Sequence, residues 1–314
     1  MNEAPKRSSA SSLVAAPLGR KGDSIGSGPA WHPLGWGVVA LLMVLSGFSG
    51  TASSGEGKWK FFAMDTAIRD LGQLEAAKKA GYAGVGWRFE PAETLIASVA
   101  KVRASGLDLV AVYGGATLTK DGIGFRGDLG ARIEALSGTG ATLWLPVNSP
   151  DFAPSDPEGD AVAVPELQRL ADLAAKQGLR VALYPHAGSW LERIQDAVRV
   201  ARAVDRKNFG VTFNLAHCLR VGDEAKIPAL LDEAAPHLFL VTINGADRNA
   251  AGAGWDRLIR PLDEGDYPVA MLLAELDRVG YAGPIGLQAF GVKLPVAESL
   301  ERSIQAWRAF VAKP

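Results

Sequence analysis

The sequence predicts an α/β protein whose main domain, residues 57–314, is one (β/α)₈ TIM barrel, preceded by a signal-like segment, residues 1–56. Two observations support the barrel. Beyond about residue 57, eight short apolar runs alternate with amphipathic stretches of helical periodicity, which is the order of repeated βα units. With 48% hydrophobic and 21% charged residues, the composition is that of a globular protein that can bury a large core.

The predicted strands are the eight short apolar runs Trp59–Asp65, Gly84–Glu90, Asp108–Tyr113, Ala141–Asn148, Arg180–His186, Phe209–Asn214, His237–Asn244 and Pro284–Phe290. The predicted helices are the amphipathic segments Leu71–Ala80, Glu93–Ala104, Pro165–Gln177, Leu191–Val204, Ala225–Ala235, Val269–Val279 and Val296–Val311. A long loop, Gly245–Pro268, precedes the last strand, and such loops often serve as lids or binding loops. An open doubly wound sheet is the alternative, but no Gly-rich phosphate loop follows the first strand.

Side-chain alternation predicts where a site would lie, because residues i and i+2 of a strand share one face. In the fifth predicted strand, Val181 and Leu183 share one face, and Ala182, Tyr184 and His186 share the other. We expect the first set to pack under the outer helices and the second set to face the barrel axis. The later strands alternate in the same way and become polar at their ends. A polar site is therefore predicted at the C-terminal mouth of the barrel.

The net charge and the cysteine content argue against a nucleic acid partner, a disulfide and a cysteine-based metal site. The net charge is −1, and the sequence has no basic stripe with interleaved aromatic residues, so no nucleic acid partner is expected. Cys218 is the single cysteine, which rules out an intrachain disulfide and argues against a cysteine-based zinc site. The sequence does not determine the oligomeric state.

The N-terminal segment, residues 1–56, has the order of residues found in secretory signals. Basic residues up to Lys21 precede an uncharged stretch in which Trp36–Leu45 is apolar and the residues up to Ser54 are mostly small. This order predicts cleavage near Ala52, and the apolar core is shorter than the ~20 residues of a membrane span. We expect a signal peptide or disordered segment and an exported protein, periplasmic or secreted, with no membrane contact after cleavage. An uncleaved anchor or a wrongly assigned start codon is the alternative.

Two stretches of the sequence resemble a known family. The run RPLDEGDYPVAMLLAELDRVGYAGPIGLQAFG, Arg260–Gly291, resembles the last βα units of the xylose-isomerase-like TIM barrels of the sugar phosphate isomerase/epimerase superfamily. The run LEAAKKAGYAGVGWRFE, Leu74–Glu90, resembles the opening of the same family. The resemblance implies sugar chemistry at a divalent metal such as Mn²⁺. Two glutamates, an aspartate and a histidine would hold the metal, and the glutamates would also transfer the substrate proton.

This chain departs from the family at every metal-ligand position. The matching residues are Tyr184, Asn214, Thr242 with Asn244 nearby, and Gln288. Amide oxygens are neutral and a phenol has a pKa near 10, so this set would hold a divalent cation far less tightly than carboxylates do. We therefore expect no cofactor of the family type, and only weak binding of a divalent metal stays open.

Two histidines are the leading catalytic candidates, because imidazole exchanges protons near neutral pH. His186 ends the fifth predicted strand, and His217 lies in the run FNLAH, which resembles the family's Asp-containing run with the aspartate replaced. Asp65, at the end of the first strand, is a candidate base, and Lys293, after the last strand, could orient a carbonyl. The alternatives are a histidine that ties a loop, a paired charge at the rim and a surface lysine.

Candidate substrate-binding residues end the predicted strands or lie in the long loop: Arg88, Glu90, Tyr113, Asn148, Tyr184, Asn214, Thr242, Asn244, Trp255 and Gln288. Arg88 could bind an anionic or carbonyl group through two hydrogen bonds. Trp255 could stack on the apolar face of a sugar ring. A paired charge and a packed loop residue are the plainer alternatives.

The leading functional hypothesis is an exported enzyme of the sugar isomerase/epimerase type. It would take a proton from the carbon next to the carbonyl of a small-molecule sugar or keto-sugar, without a family-type metal. The same enolate chemistry leaves a keto-sugar lyase or hydratase open. Because every metal ligand is replaced, a non-catalytic sugar-binding barrel is also open.

Overall fold

The computed structural model describes residues 58–125 and 127–312. The predicted signal-like segment, residues 1–56, lies outside this described part. The strands are β1 (Phe61–Ala63), β2 (Gly84–Arg88), β3 (Asp108–Tyr113), β4 (Ala116–Thr119), β5 (Gly122–Phe125), β6 (Thr142–Leu145), β7 (Val147–Asn148), β8 (Arg180–Leu183), β9 (Phe209–Asn214), β10 (Leu238–Ile243) and β11 (Ile285–Leu287).

The α-helices are α1 (Asp65–Ile68), α2 (Leu74–Ala80), α3 (Ala92–Ser105), α4 (Leu129–Ala135), α5 (Asp160–Lys176), α6 (Ile194–Val204), α7 (Leu215–Arg220), α8 (Ile227–Ala234), α9 (Trp255–Leu258), α10 (Val269–Arg278) and α11 (Val296–Val311). Single 3₁₀ turns lie at Leu71–Gln73, Pro157–Gly159, Glu224–Lys226 and Ala235–His237. Within the described residues, every helix is too short or too polar to span a bilayer.

Eight parallel strands close into a barrel in the order β1, β2, β3, β6, β8, β9, β10, β11 and back to β1. Each barrel strand is followed by at least one helix before the next. The predicted (β/α)₈ TIM barrel is therefore confirmed. Because β1 and β8 lie four places apart on this ring of eight, their C-terminal ends meet the barrel mouth from opposite sides.

The barrel strands separate two hydrophobic cores, as the alternation predicted. Val181 and Leu183 of β8 pack in the large core shared with the outer helices. Ala182 and Tyr184 belong instead to the small cluster inside the barrel, together with Phe62, Met64, Ala111, Trp144 and Leu240. Full burial of each Val or Leu side chain contributes about 1.5–3 kcal/mol to the free energy of folding. A one-residue shift would move these side chains to the other face, so their burial fixes the strand register.

Gly286 of β11 is required by the inner cluster. It faces the barrel axis, and a Cβ atom at this position would lie 2.4 Å from Cζ of Phe62. Phe62 is fully buried, so it cannot move aside into solvent. The glycine therefore leaves room for the aromatic ring that fills this level of the barrel.

Several features differ from the expected pattern. The predicted strand Ala141–Asn148 is two strands, because Pro146 has no N–H to continue the ladder and β7 leaves the barrel to pair with β4. The loop after β3 contains the β4–β5 hairpin, which forms a three-stranded sheet with β7. Helix α4 follows, where no helix was predicted. The predicted strands Trp59–Asp65 and Pro284–Phe290 are also too long, since ladder pairing ends at the barrel rim.

Candidate active site

A cavity of ≈ 320 Å³ opens at the C-terminal ends of the barrel strands. Its lining consists of Met64, Asp65, Thr66, Tyr113, Tyr184, His186, His217, Trp255, Ile259, Gln288 and Phe290. Half of the predicted site residues are in this lining, namely Asp65, Tyr113, Tyr184, His186, His217, Trp255 and Gln288. The cavity lies at the mouth where barrel enzymes place their active sites.

The two candidate histidines form a pair on one wall of the cavity. His186 lies just beyond β8, His217 lies in α7, and their ring centroids are 4.1 Å apart. Burial lowers the pKa of His186, and burial together with the neighbouring His186 lowers the pKa of His217 well below its ordinary value. Both imidazoles are therefore neutral at pH 7, as a proton acceptor must be.

The hydrogen bonds of His217 assign its tautomer. The backbone N–H of Ala187 donates to Nδ1 of His217 over 3.3 Å. Because a neutral imidazole has one donor and one acceptor nitrogen, the proton of His217 belongs on Nε2. The rings of His217 and Trp255 make a T-shaped contact with their centroids 5.1 Å apart. His217 is thus held as a hydrogen-bond donor in the cavity wall.

Asn214 organises the floor of the site. Its Oδ1 accepts from the backbone N–H of His217 over 3.0 Å, which caps the first turn of α7. Its Nδ2 donates to the Tyr184 hydroxyl and to the Thr242 hydroxyl, each over 2.6 Å. Both amide hydrogens are therefore used within the protein. Asn214 and Thr242 are buried and absent from the lining, so their place is to hold Tyr184 and His217 rather than to contact a ligand.

Gln288 is held from helix α1, which follows the first strand. Its Oε1 accepts from the Thr66 hydroxyl over 2.6 Å and from the backbone N–H of Phe290 over 3.2 Å. Burial raises the pKa of Tyr184 well above its ordinary value, and nearby Tyr113 adds to this, whereas a hydrogen bond from Gln288 opposes it. The Tyr184 phenol therefore keeps its proton and can donate it in a hydrogen bond.

The positions that match the family's metal ligands do not fit a divalent cation. The amide of Asn214 turns its NH₂ group toward Tyr184 and Thr242, so hydrogen bonds fill the centre where a metal would need oxygen donors. Gln288 gives its oxygen to Thr66. Among residues 58–125 and 127–312, no group of three or more His, Cys, Asp or Glu side chains could hold a metal ion. This donor set lacks the carboxylates that such ions prefer.

Asp65 provides the carboxylate of the cavity. It begins α1 directly after β1, and burial raises the pKa of its carboxyl while Arg88 lowers it. The Arg88 Nε lies 3.6 Å from Oδ2 of Asp65. Because β1 and β8 are opposite on the ring, Asp65 reaches the mouth from the wall that faces His186.

The other predicted site residues lie outside the lining of this cavity. Arg88 and Glu90 line a separate groove of ≈ 300 Å³, where Glu90 accepts from Ser98 over 2.5 Å. Asn148 is exposed on β7, where its Oδ1 accepts from the Ser189 hydroxyl.

The remaining two are Asn244 and Lys293. Asn244 is buried and donates to the carbonyls of Gly245 and Leu258, so it fastens the loop after β10. Lys293 is exposed beyond β11. These side chains take structural or surface positions outside the lining, because strand-end parity does not set how far a side chain reaches, and their contact with a ligand stays a prediction.

Four lining residues were not predicted: Met64, Thr66, Ile259 and Phe290. Phe290 lies two residues beyond Gln288, so the same parity signal could have identified it. Thr66 follows Asp65 and could have been found only by expecting the chain to turn into a helix there.

The loop between β10 and α10 places Trp255 beside the histidines. Arg220 donates to the carbonyl oxygens of Gly252 and Ala253, and its guanidinium lies 5.4 Å from the Trp255 ring centroid. The isolated bridge between Gly245 and Arg260 closes the base of this loop. Trp255 is therefore fixed as one wall of the cavity.

Comparisons with solved structures find the same fold in several proteins, two of which are named as sugar epimerases. The IOLI protein, with a binding zinc atom, has a TM-score of 0.62 and 15% identity over 81% of this chain and 98% of that one. D-allulose 3-epimerase from Methylomonas sp. has a TM-score of 0.61 and 15% identity, over 81% and 99%. The E. coli 3-keto-D-glucoside 4-epimerase YcjR has a TM-score of 0.59 and 17% identity, over 79% and 98%.

A comparison with curated proteins gives no significant match. A family profile described as a xylose isomerase-like TIM barrel matches residues 74–310, which is most of the chain and nearly all of the barrel. This match agrees with the closed parallel barrel. The chain belongs to the xylose isomerase-like TIM barrel family.

Proposed function

We propose that this protein is an exported enzyme of the sugar isomerase/epimerase type that moves a proton at the carbon next to a carbonyl, without a family-type metal. The observation that carries the proposal is the presence of proton-transfer groups on two opposed walls of one cavity. Asp65 stands on one wall, and His186 with His217 stands on the other. An epimerase needs such groups on both faces of its substrate, because the unprotonated group on one wall takes the proton from one face and the protonated group on the other wall donates its proton to the opposite face.

The surroundings of the two walls bring their proton affinities closer together. Burial raises the pKa of Asp65 and lowers the pKa of His186. A carboxyl and an imidazole whose pKa values differ widely would keep the proton on one wall only. Their convergence lowers the cost of holding the proton on either wall, which a reversible proton transfer requires.

The remaining lining residues suit the enolate that forms when the proton leaves. As the C–H bond breaks, its electron pair becomes the new C=C bond and the carbonyl oxygen gains negative charge. The Nε2–H of His217 and the hydroxyl of Tyr184 are donors that can stabilise this charge. We assign His186 and Asp65 to proton transfer and these two residues to the oxygen.

The comparisons support the class of substrate. Two of the solved structures with this fold are named as epimerases of D-allulose and of a 3-keto-D-glucoside, so a sugar or keto-sugar is the substrate that we propose for this chain. At 15–17% identity the likeness itself extends to the fold alone.

The test is deuterium wash-in from D₂O into a panel of sugars and keto-sugars, followed by NMR. Wild-type protein should introduce deuterium at one carbon next to the carbonyl. His186→Asn should lower the exchange rate by about 10²–10⁴-fold for the epimer whose proton faces His186, as expected for loss of a general base. The matched control is His237→Asn, since His237 lies at the opposite end of the barrel, before β10.

Two results would contradict the proposal in different ways. A product that has lost water would indicate a keto-sugar lyase. Saturable sugar binding without any exchange across the panel would indicate a non-catalytic binding protein.

A further inference from the structure

The charge of the cavity argues against an anionic substrate. Asp65 is the one acidic side chain among the described lining residues, and this lining contains no lysine or arginine. The guanidinium of Arg88, beside Asp65, already contacts Asp65, donates to the carbonyl of Arg69 and stacks on Trp87. A phosphate or carboxylate group entering the cavity would therefore meet a negative charge and no free cation among these residues.

The rim of the same cavity carries an exposed aromatic ring. Phe290 is 55% exposed, whereas Gln288, two residues earlier in the chain, is 5% exposed. The described residues include two other exposed large apolar side chains, Ile96 and Met271, and neither lines this cavity. Phe290 thus lies farther out than the polar floor and offers an apolar face next to the opening.

The size of the cavity indicates which part of a ligand would contact the Phe290 ring. Its ≈ 320 Å³ is at the lower end of the roughly 300–1,000 Å³ of small-molecule sites. Gln288, Tyr184 and the histidines occupy the deep end, where a polar sugar ring with its carbonyl would bind. A group joined to that ring and directed outward would then meet Phe290. Aromatic side chains bind the apolar faces of other rings, so a second ring is the group that this surface suits.

We infer that the substrate is an uncharged glycoside, whose keto-sugar ring occupies the cavity and whose second ring stacks on Phe290. The inference rests on the proposed function, because it names the substrate class of the same site. Either an aryl group or another sugar provides a ring with an apolar face, and the experiment separates these two sources.

The test measures binding by calorimetry, with phenyl glycosides, methyl glycosides and disaccharides in which one hexose ring carries a keto group, and with the corresponding hexose 6-phosphates. Wild-type protein should bind at least one ring-bearing glycoside about tenfold more tightly than its methyl glycoside. Phe290→Ala should remove that preference, and Phe290→Tyr should retain it. Met271→Ala, which truncates an exposed apolar side chain away from the cavity, should leave the preference unchanged. Tighter binding of phenyl glycosides points to an aryl group, and tighter binding of disaccharides points to a second sugar.

Several results would overturn the inference. These are binding of none of the glycosides, equal affinities for methyl and ring-bearing glycosides, a preference that survives in Phe290→Ala, or tightest binding by a hexose phosphate. Binding needs no proton transfer, so failure of deuterium exchange would leave this result intact. Deuterium exchange with free keto-sugars, together with equal affinities for methyl and ring-bearing glycosides, would refute only the inference of a glycoside substrate. The proposed function would then stand.

Discussion

Replacing Asn214 by Ala is expected to destabilise the barrel and disturb the site together. The side chain is buried, 4% exposed, and makes three hydrogen bonds, to Tyr184, to Thr242 and to the backbone of His217. Each such bond contributes about 1 kcal/mol, and the partners left unpaired are themselves buried, so the free energy of unfolding should fall by about 3 kcal/mol. For a domain of this size that corresponds to a loss of roughly 6–12 °C in Tm.

The assay is urea unfolding followed by circular dichroism, with the slope of the transition compared between variants. An unchanged slope with a lower midpoint would report a true loss of stability. The matched control is Asn208→Ala, which removes hydrogen bonds to the carbonyls of Ala171 and Leu179 before β9 begins, at the other end of the barrel. This control should lose stability but keep its sugar affinity, whereas Asn214→Ala should lose both. A loss below about 0.5 kcal/mol for Asn214→Ala would refute the hydrogen-bond account of the floor.

Three further predictions address charge, metal and processing. Arg88→Met removes the cation that lowers the pKa of Asp65, so that pKa should rise and the acidic limb of the pH–rate profile should move to higher pH; an unmoved or lower limb would show that Arg88 does not act on Asp65. Exhaustive chelation should leave the exchange activity unchanged, because the four matched ligand positions are engaged with one another or with Thr66; activity restored by Mn²⁺ or Zn²⁺ after chelation would contradict this. N-terminal sequencing of protein recovered from a Gram-negative host should find a start just after Ala52, and an intact Met1 would argue against a cleaved signal.

The barrel was predictable because its signals are periodic. Alternation along β8 placed Ala182 and Tyr184 inside and Val181 and Leu183 outside, and the structure has them so. Repeated βα order predicted the closed ring. The hairpin after β3 was missed, since its short strands lie in a loop and lack a long apolar run.

The site was predictable in position and less so in detail. Strand ends indicated the mouth, and Asp65, His186 and His217 indeed line one cavity. Spacing could not reveal that Asn214 uses both amide hydrogens inside the protein, because that depends on where Tyr184 and Thr242 meet across neighbouring strands. The spacing of residues along a strand also does not predict how far each side chain extends into the cavity.

The central claim is that protons move between two opposed walls, and single-base variants test it most directly. Each substrate epimer presents its proton to one wall. Asp65→Asn and His186→Asn should therefore each lower the rate of deuterium wash-in from one epimer by about 10²–10⁴-fold and leave the rate from the other epimer unchanged. Neither variant should interconvert the epimers. If both variants lost exchange from the same epimer, or if Asp65→Asn interconverted the epimers at the wild-type rate, the two-wall account would be wrong.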